Sequence, residues 1–231
     1  MLKAFSDLFN LFFPRKCNHC GINLDKTELE VCKKCLFEIP KTNFHTDPDN
    51  PVNKTFWGRV NVEFATAGYY FTKKSILQNL LHHIKYHHKK ELAFELGKYL
   101  GTELSLVENF KDCDVIMPVP LHPLKKKKRG YNQSEWIAKG ISEKMDIPVN
   151  ITILLRHVNS KSQTKKNRVE RWENVRSAFN VKVPDQLSIK HILLIDDVIT
   201  TGATIEACAS QLIEHLGIKV SIASLAYASD V

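Results

Sequence analysis

No stretch of this sequence reaches the ~18 consecutive apolar residues that a membrane-spanning helix needs. The apolar opening, MLKAFSDLFNLFFP, is interrupted by Asp7 and Asn10 and lacks a small-residue cleavage site, so it does not read as a signal peptide. Phe5, Leu8, Leu11 and Phe12 form one helical stripe, expected to dock on the protein's own core rather than insert into a membrane. Internal repeats and Gly/Ser-rich tethers are also lacking, which excludes a string of loosely joined units. Six cysteines among 231 residues are too few for a disulfide scaffold. A cytoplasmic protein is the expectation.

What is present suits a folded core. Hydrophobic residues make up 43% of the chain and charged residues 25%, within the ordinary globular range. The length suits one α/β domain with a small accessory module. Net charge is +8, and its excess is local. Residues 121–180 hold 14 Lys/Arg against 5 Asp/Glu, leaving the rest of the chain nearly neutral. One basic mouth or face is therefore expected, suited to phosphates or nucleic acid.

Four of the cysteines fall in CNHCGINLDKTELEVCKKC, residues 17–35. Two C-x2-C pairs separated by 11 residues can each present two thiolates to one tetrahedral ion. Cys17, Cys20, Cys32 and Cys35 are thus the expected ligands of a structural zinc, with His19 a bystander. So short a segment builds no core of its own, and a metal can replace one. Residues 39–61, with Pro40, Pro48 and Pro51, read as a linker.

Downstream the pattern alternates. VEFATAGYYF reads as a strand, and residues 75–106 as one or two helices on a 3.6 period. His82, His83, His87 and His88 sit there without a carboxylate to complete a metal site, so a solvated basic helix end is expected. DVIMPVPL is a second buried strand, followed by a basic loop, Lys125 to Arg129, then Gly130 and a helix from near Asn132 or Ser134. Residues 152–179 have little apolar periodicity and read as a functional flap or a mobile loop. ILLIDDVITTGAT begins as a strand buried on both faces and ends in two carboxylates and a hydroxyl-rich turn. A helix then runs to the stop signal Gly217, and VSIASLAYA is the last strand. Strands alternating with helices imply a mostly parallel sheet, with ligands bound outside its carboxyl edge.

The turn after that strand has the right chemistry for a sugar phosphate. Backbone N–H groups at a helix start suit a phosphate, and Gly202 allows close approach. Asp196 and Asp197 can accept hydrogen bonds from two vicinal hydroxyls, and one can reach Mg²⁺ through water. A phosphate, a ribose and a diphosphate joined in one ligand, phosphoribosyl diphosphate, would match loop, acids and basic run together. The plainer alternative is an acidic turn with Thr204 as helix N-cap.

ILLIDDVITTGAT closely resembles the phosphoribosyl diphosphate motif of type I phosphoribosyltransferases. CNHC…CKKC, Lys85–Tyr86, PVPLHPL…RGYNQSEWIA, Gln163 with Arg171 and Asn174, and DDVITTGAT follow the order seen in the ComF family, over about residues 10–228. Where family members often carry a glycine after the Lys-Tyr pair, this chain has His87 and His88. The resemblance implies a zinc-binding module in residues 1–45 and, in residues 60–231, an α/β domain with a type I phosphoribosyltransferase-like, mostly parallel sheet flanked by helices. It implies a role in competence, the uptake and processing of transforming DNA. By motif match Asp196 and Asp197 would hold the ribose diol, and they and Arg129 are the implied catalytic residues. Val198, Ile199, Thr200, Thr201, Gly202, Ala203 and Thr204 would bind the 5-phosphate. Val119, Pro120, Lys128, Arg129 and Gly130 would lie at the diphosphate, with Mg²⁺ accompanying the ligand, and Gln163, Arg171 and Asn174 would belong to a hood or flap.

Two classes of function remain open on this reading. One is pentosyl transfer, in which an acceptor attacks the anomeric carbon as diphosphate departs. No glutamine-amidotransferase module accompanies the motif. The other is binding without turnover: a ligand sensor, or a single-stranded DNA binder using the basic segment with Tyr131, Trp136 and Trp172, alongside competence proteins.

Overall fold

A computed structural model describes residues 14–157, 177–184 and 188–228. Its centre is a four-stranded, fully parallel sheet. The strands are β1 (Ala65–Tyr70), β2 (Val115–Pro118), β5 (His191–Ile199) and β6 (Lys219–Tyr227), in the order β1-β6-β5-β2. A short antiparallel ribbon of β3 (Leu154–Arg156) and β4 (Phe179–Val181) stands apart from the sheet. The helices are α1 (Lys33–Phe37), α2 (Pro51–Phe56), α3 (Ile76–Tyr86), α4 (Lys90–Leu104), α5 (Glu108–Lys111), α6 (Pro123–Arg129), α7 (Gln133–Met145) and α8 (Ala203–Leu216).

The alternation of side chains along β5 explains the layers. Leu193 and Ile195 face the core formed with α3, α4 and α7. Ile192 and Leu194 face the core formed with α2, α8 and the β3–β4 ribbon. Both faces are covered, so the strand is apolar from Ile192 to Ile195, up to the aspartates.

Helices α4 and α7 lie unusually close. A Cβ on Gly140 would fall inside the Phe94 carbonyl and 2.8 Å from the Lys98 nitrogen. One on Gly97 would come within 3.0 Å of the Ile137 backbone, and one on Gly101 within 2.8 Å of the Ile141 Cα. Three glycines let the two backbones touch, which seats the N-terminus of α7 over the end of β2 and β5.

Two stretches differ from expectation. Residues 39–61 do not form a free linker. Phe44, Val52 and Phe56 are buried, and Asn50 is fully enclosed. Asn50 caps α2 through the Asn53 N–H and donates its amide to the Ala65 carbonyl at 3.0 Å. The Pro40–Thr42 stretch lies along the outer side of β1, with Tyr70 N–H donating to Pro40 O at 3.0 Å and Thr42 N–H to Gly68 O at 3.0 Å. The opposite side of the sheet is flanked by Pro148 to Asn150, bonded to Ile116. The second difference is the basic run, which is helical (α6) rather than a loop. Pro123 starts the helix, the His122 ring accepts from the Leu124 N–H, and Gly130 at φ 82° ends it.

Gly140→Ala should destabilise the protein by roughly 1–3 kcal/mol in urea unfolding, as overpacking does. Helix propensity alone predicts a gain of about 1 kcal/mol. A stabilised variant would therefore rule out the close crossing.

Candidate functional site

The site lies at the carboxyl ends of β5 and β2. β5 carries Asp196 and Asp197 as its sixth and seventh residues, and three elements meet them. From α7, Ser134 Oγ donates to Asp196 Oδ1 at 3.1 Å. From α3, Lys85 Nζ lies 2.6 Å from Asp197 Oδ2, in a half-buried ion pair. The backbone contributes the rest: Asp197 N–H donates to Asp196 Oδ1 at 2.8 Å and Val198 N–H to Asp197 Oδ1 at 2.9 Å.

These contacts divide the two acids. Burial is the largest influence on Asp196 and the charge of Asp197 the next, and together they lift its pKa to about 7. The hydrogen bonds from Asp197 N–H and Ser134, and the Lys85 charge, oppose that rise without cancelling it. Asp197 instead holds the direct ammonium contact.

The turn beyond Ile199 leads into α8. Gly202 takes φ 74° and stands at the N-cap position with no side-chain cap, so Thr204 is not the cap. A side chain on Gly202 would meet Thr55 Cγ2 at 3.0 Å and Phe56 Cε1 at 3.1 Å. Asp196 and residues 198–205 line a cavity of about 50 Å³. That is room for one small oxyanion rather than a base, at the end of a 14-residue helix whose first N–H groups have no partner within the helix. Val198, Ile199, Thr200, Thr201, Gly202, Ala203 and Thr204 are thus brought together with Asp196, while Asp197 does not line that cavity and contacts Lys85.

The residues matched to the diphosphate are placed differently. Val119 is buried, its N–H bonded to Ile195 O at 2.8 Å and its carbonyl to Asn132 Nδ2 at 2.9 Å. Pro120 has no N–H. The Gly130 N–H is committed to Lys126 O at 2.8 Å. The donors that face the cavity there are side chains. Lys125, Lys128 and Arg129 face Lys85, Tyr86 and His88 across a cavity of about 290 Å³. Arg129 also bonds Gln133, and its carbonyl meets His88 Nδ1 at 3.0 Å. His87, directly after the Lys85–Tyr86 pair, has φ −117°, while His88 adopts φ 56°, the left-handed conformation that favours glycine. Gln163, Arg171, Asn174 and Trp172 lie outside the described residues. Tyr131 is buried and donates its hydroxyl to Ile84 O, so it offers no stacking face. Trp136 is flanked by Lys90 and Lys139, each 4.8 Å from its ring centre.

The four cysteines converge as their spacing predicts. Their sulfurs lie within 4.8 Å of one another, with Cys20 and Cys32 Sγ 3.7 Å apart. Four thiolates at Zn–S distances of about 2.3 Å stand about 3.8 Å apart, so the cluster fits a structural zinc. The Cys17 and Cys32 sulfurs also accept backbone N–H groups from Cys32 and Cys35, at 3.4 Å each. The segment docks on α4, where buried Glu95 accepts the Glu30 N–H at 2.7 Å. Sequence reasoning missed the part played by Ser134 and assigned no role to Lys85. Both lie in quoted motifs, Lys85 in the Lys85–Tyr86 pair and Ser134 in RGYNQSEWIA, and those motifs carried the signal.

No protein-family profile matches the chain. Curated relatives do. Competence protein F of Haemophilus influenzae is 27% identical over 207 residues, covering 88% of this chain and 80% of that one. DNA utilization protein YhgH of Escherichia coli strain K12 is 25% identical over 89% of this chain and 87% of that one. Competence protein ComFC of Streptococcus pneumoniae is 27% identical over 88% and 83%. These relatives, over most of their lengths, bear out the likeness to the ComF family. Among solved structures, a glutamine phosphoribosylpyrophosphate amidotransferase from B. subtilis has a TM-score of 0.42 at 17% identity, over 63% of this chain and 30% of that one. An adenine phosphoribosyltransferase from Leishmania tarentolae has a TM-score of 0.39 at 11% identity, over 78% and 89%. Those scores carry no weight for the fold, which rests on the strand order and the layers. Among the described residues no helix is long and apolar enough to cross a membrane.

A group whose pKa rises on folding costs the folded state once it is ionised. Wild-type stability should therefore lose the Asp196 contribution as pH climbs from about 4 to about 7. Asp196→Asn should raise the thermal midpoint relative to wild type at pH 8 and leave it nearly unchanged at pH 4. An equal effect at both values would mean that Asp196 titrates as an ordinary carboxyl.

Proposed function

We propose that this chain binds phosphoribosyl diphosphate, or a closely related ribose phosphate, with Mg²⁺, and acts in natural competence and DNA uptake in the cytoplasm. The observation that carries the reading is the assembly on one strand end of a paired diol acceptor and an oxyanion-sized turn. Asp196 and Asp197 would accept the ribose hydroxyls, and residues Val198 to Thr204 would hold the 5-phosphate. Asp197 is suited to this by its place at the strand end, where Lys85 Nζ lies 2.6 Å from its Oδ2. Asp196 is suited to accept from a diol once deprotonated, and its hydrogen bond from Ser134 fixes the carboxyl's rotation. Arg129 and Lys128, on α6, would face the diphosphate end, and Mg²⁺ would share its charge through water and the ligand's own oxygens.

Residues 60–231 would form the phosphoribosyltransferase-like domain and residues 1–45 a zinc module held by Cys17, Cys20, Cys32 and Cys35. Pentosyl transfer is the reaction the arrangement supports: basic side chains stabilise the departing diphosphate while the acids hold the sugar. The competence role is supported by the names of the relatives, Competence protein F and DNA utilization protein YhgH.

Calorimetric titration with phosphoribosyl diphosphate and Mg²⁺ should show binding to wild type. An Asp196→Asn, Asp197→Asn double variant should lose it. Release of diphosphate on adding candidate acceptors would establish turnover. Absence of binding to folded wild type would defeat the ligand assignment. Purified chain should also carry close to one zinc per molecule, by elemental analysis. Cys20→Ser with Cys35→Ser should lose it and lower the unfolding midpoint.

A further inference from the structure

Arg59 lies in the segment expected to be a linker, yet it reaches the far side of the phosphate turn. Its Nη1 donates to Thr201 O at 3.0 Å, within the turn, and to Thr55 O at 3.0 Å, on α2. Its Nη2 donates to Glu206 in the first turn of α8, a carboxylate that is buried. One planar guanidinium thus ties three elements together, through two backbone carbonyls and one side-chain carboxylate: α2, the turn, and the start of α8. The tie is anchored at its other end. Asn50 caps α2 and bonds it to β1, while Thr55 and Phe56 press on Gly202.

We propose that Arg59 is a positioning residue for the phosphate turn, holding residues Thr200 to Thr204 in the geometry that receives an oxyanion. The inference rests on the phosphate-binding reading of that turn given above. Arg59 would touch no ligand atom; it acts through the Thr201 carbonyl and Glu206. Its charge is matched by Glu206, so the pair is close to neutral, and its contribution is shape rather than attraction. Lysine cannot reproduce it, because a single ammonium lacks the fork that spans separate acceptors.

Arg59→Met, Arg59→Lys and Glu206→Gln in the full chain test the role by two readouts. The first is ¹⁵N relaxation of Thr200 to Thr204 without ligand. Wild-type order parameters should be near about 0.85, and in Arg59→Met they should fall toward about 0.6, with Leu193 and Leu194 unchanged. The second is titration with ribose 5-phosphate. Outer-shell partners that orient ligating groups commonly change affinity about ten- to a hundredfold, so Kd should rise at least about tenfold in Arg59→Met. Arg59→Lys should recover little of it, and Glu206→Gln should give an intermediate loss.

Unchanged order parameters in Arg59→Met would overturn the proposal. So would wild-type affinity in Arg59→Lys, which would make the role one of charge. An equal loosening of β5 and the turn would overturn it too, since that is general destabilisation. If Arg59→Met does not fold, Arg59→Lys and Glu206→Gln carry the same two readouts. If wild type takes no ribose 5-phosphate while the turn still loosens in Arg59→Met, the positioning role stands and the phosphate reading fails.

Discussion

Two adjacent carboxylates on a strand buried on both faces repel each other in a place where water screens them poorly. The surroundings of the strand end are arranged around that problem. α3 must end where Lys85 can reach Asp197. α7 must begin where Ser134 can reach Asp196, and that start depends on α4 and α7 meeting backbone to backbone. The acids are kept unlike rather than both neutralised: one shares charge with an ammonium, and the other retains a proton close to neutrality.

The fold was legible wherever the local pattern repeats. The apolar run before Asp196, the helical spacing after Gly202 and the stop at Gly217 all appear where the sequence places them. The paired cysteines converge because C-x2-C is itself a local geometry. The helix over Lys125 to Arg129 was not legible, because a run of cations has no apolar period. It is defined by its ends, a proline and a left-handed glycine. α2 was hidden for a related reason: six residues are too few to show a period, although Asn50 followed by Pro51 is a start signal.

The candidate site was legible where chemistry is concentrated in sequence, in the aspartates and the turn. Its supporting residues were not. Lys85, Ser134 and Arg59 come from three separate crossings of the chain, and no spacing rule links them to β5. The same limit applies to Gly97 and Gly140. Each alone looks like a weak helical residue, and only the opposing helix explains it.

The stretches that flank the outer sides of β1 and β2 have a further effect. A parallel sheet of four strands ordinarily ends in two rows of unsatisfied amides and carbonyls, which invite strands from other molecules. Here the Pro40–Thr42 stretch occupies one row and the Pro148–Asn150 stretch part of the other. Neither stretch is long enough to become a strand that would itself need a partner. Self-association by sheet extension would first have to peel one of them away. The chain that connects the cysteine cluster to the sheet therefore also guards the sheet against its own copies.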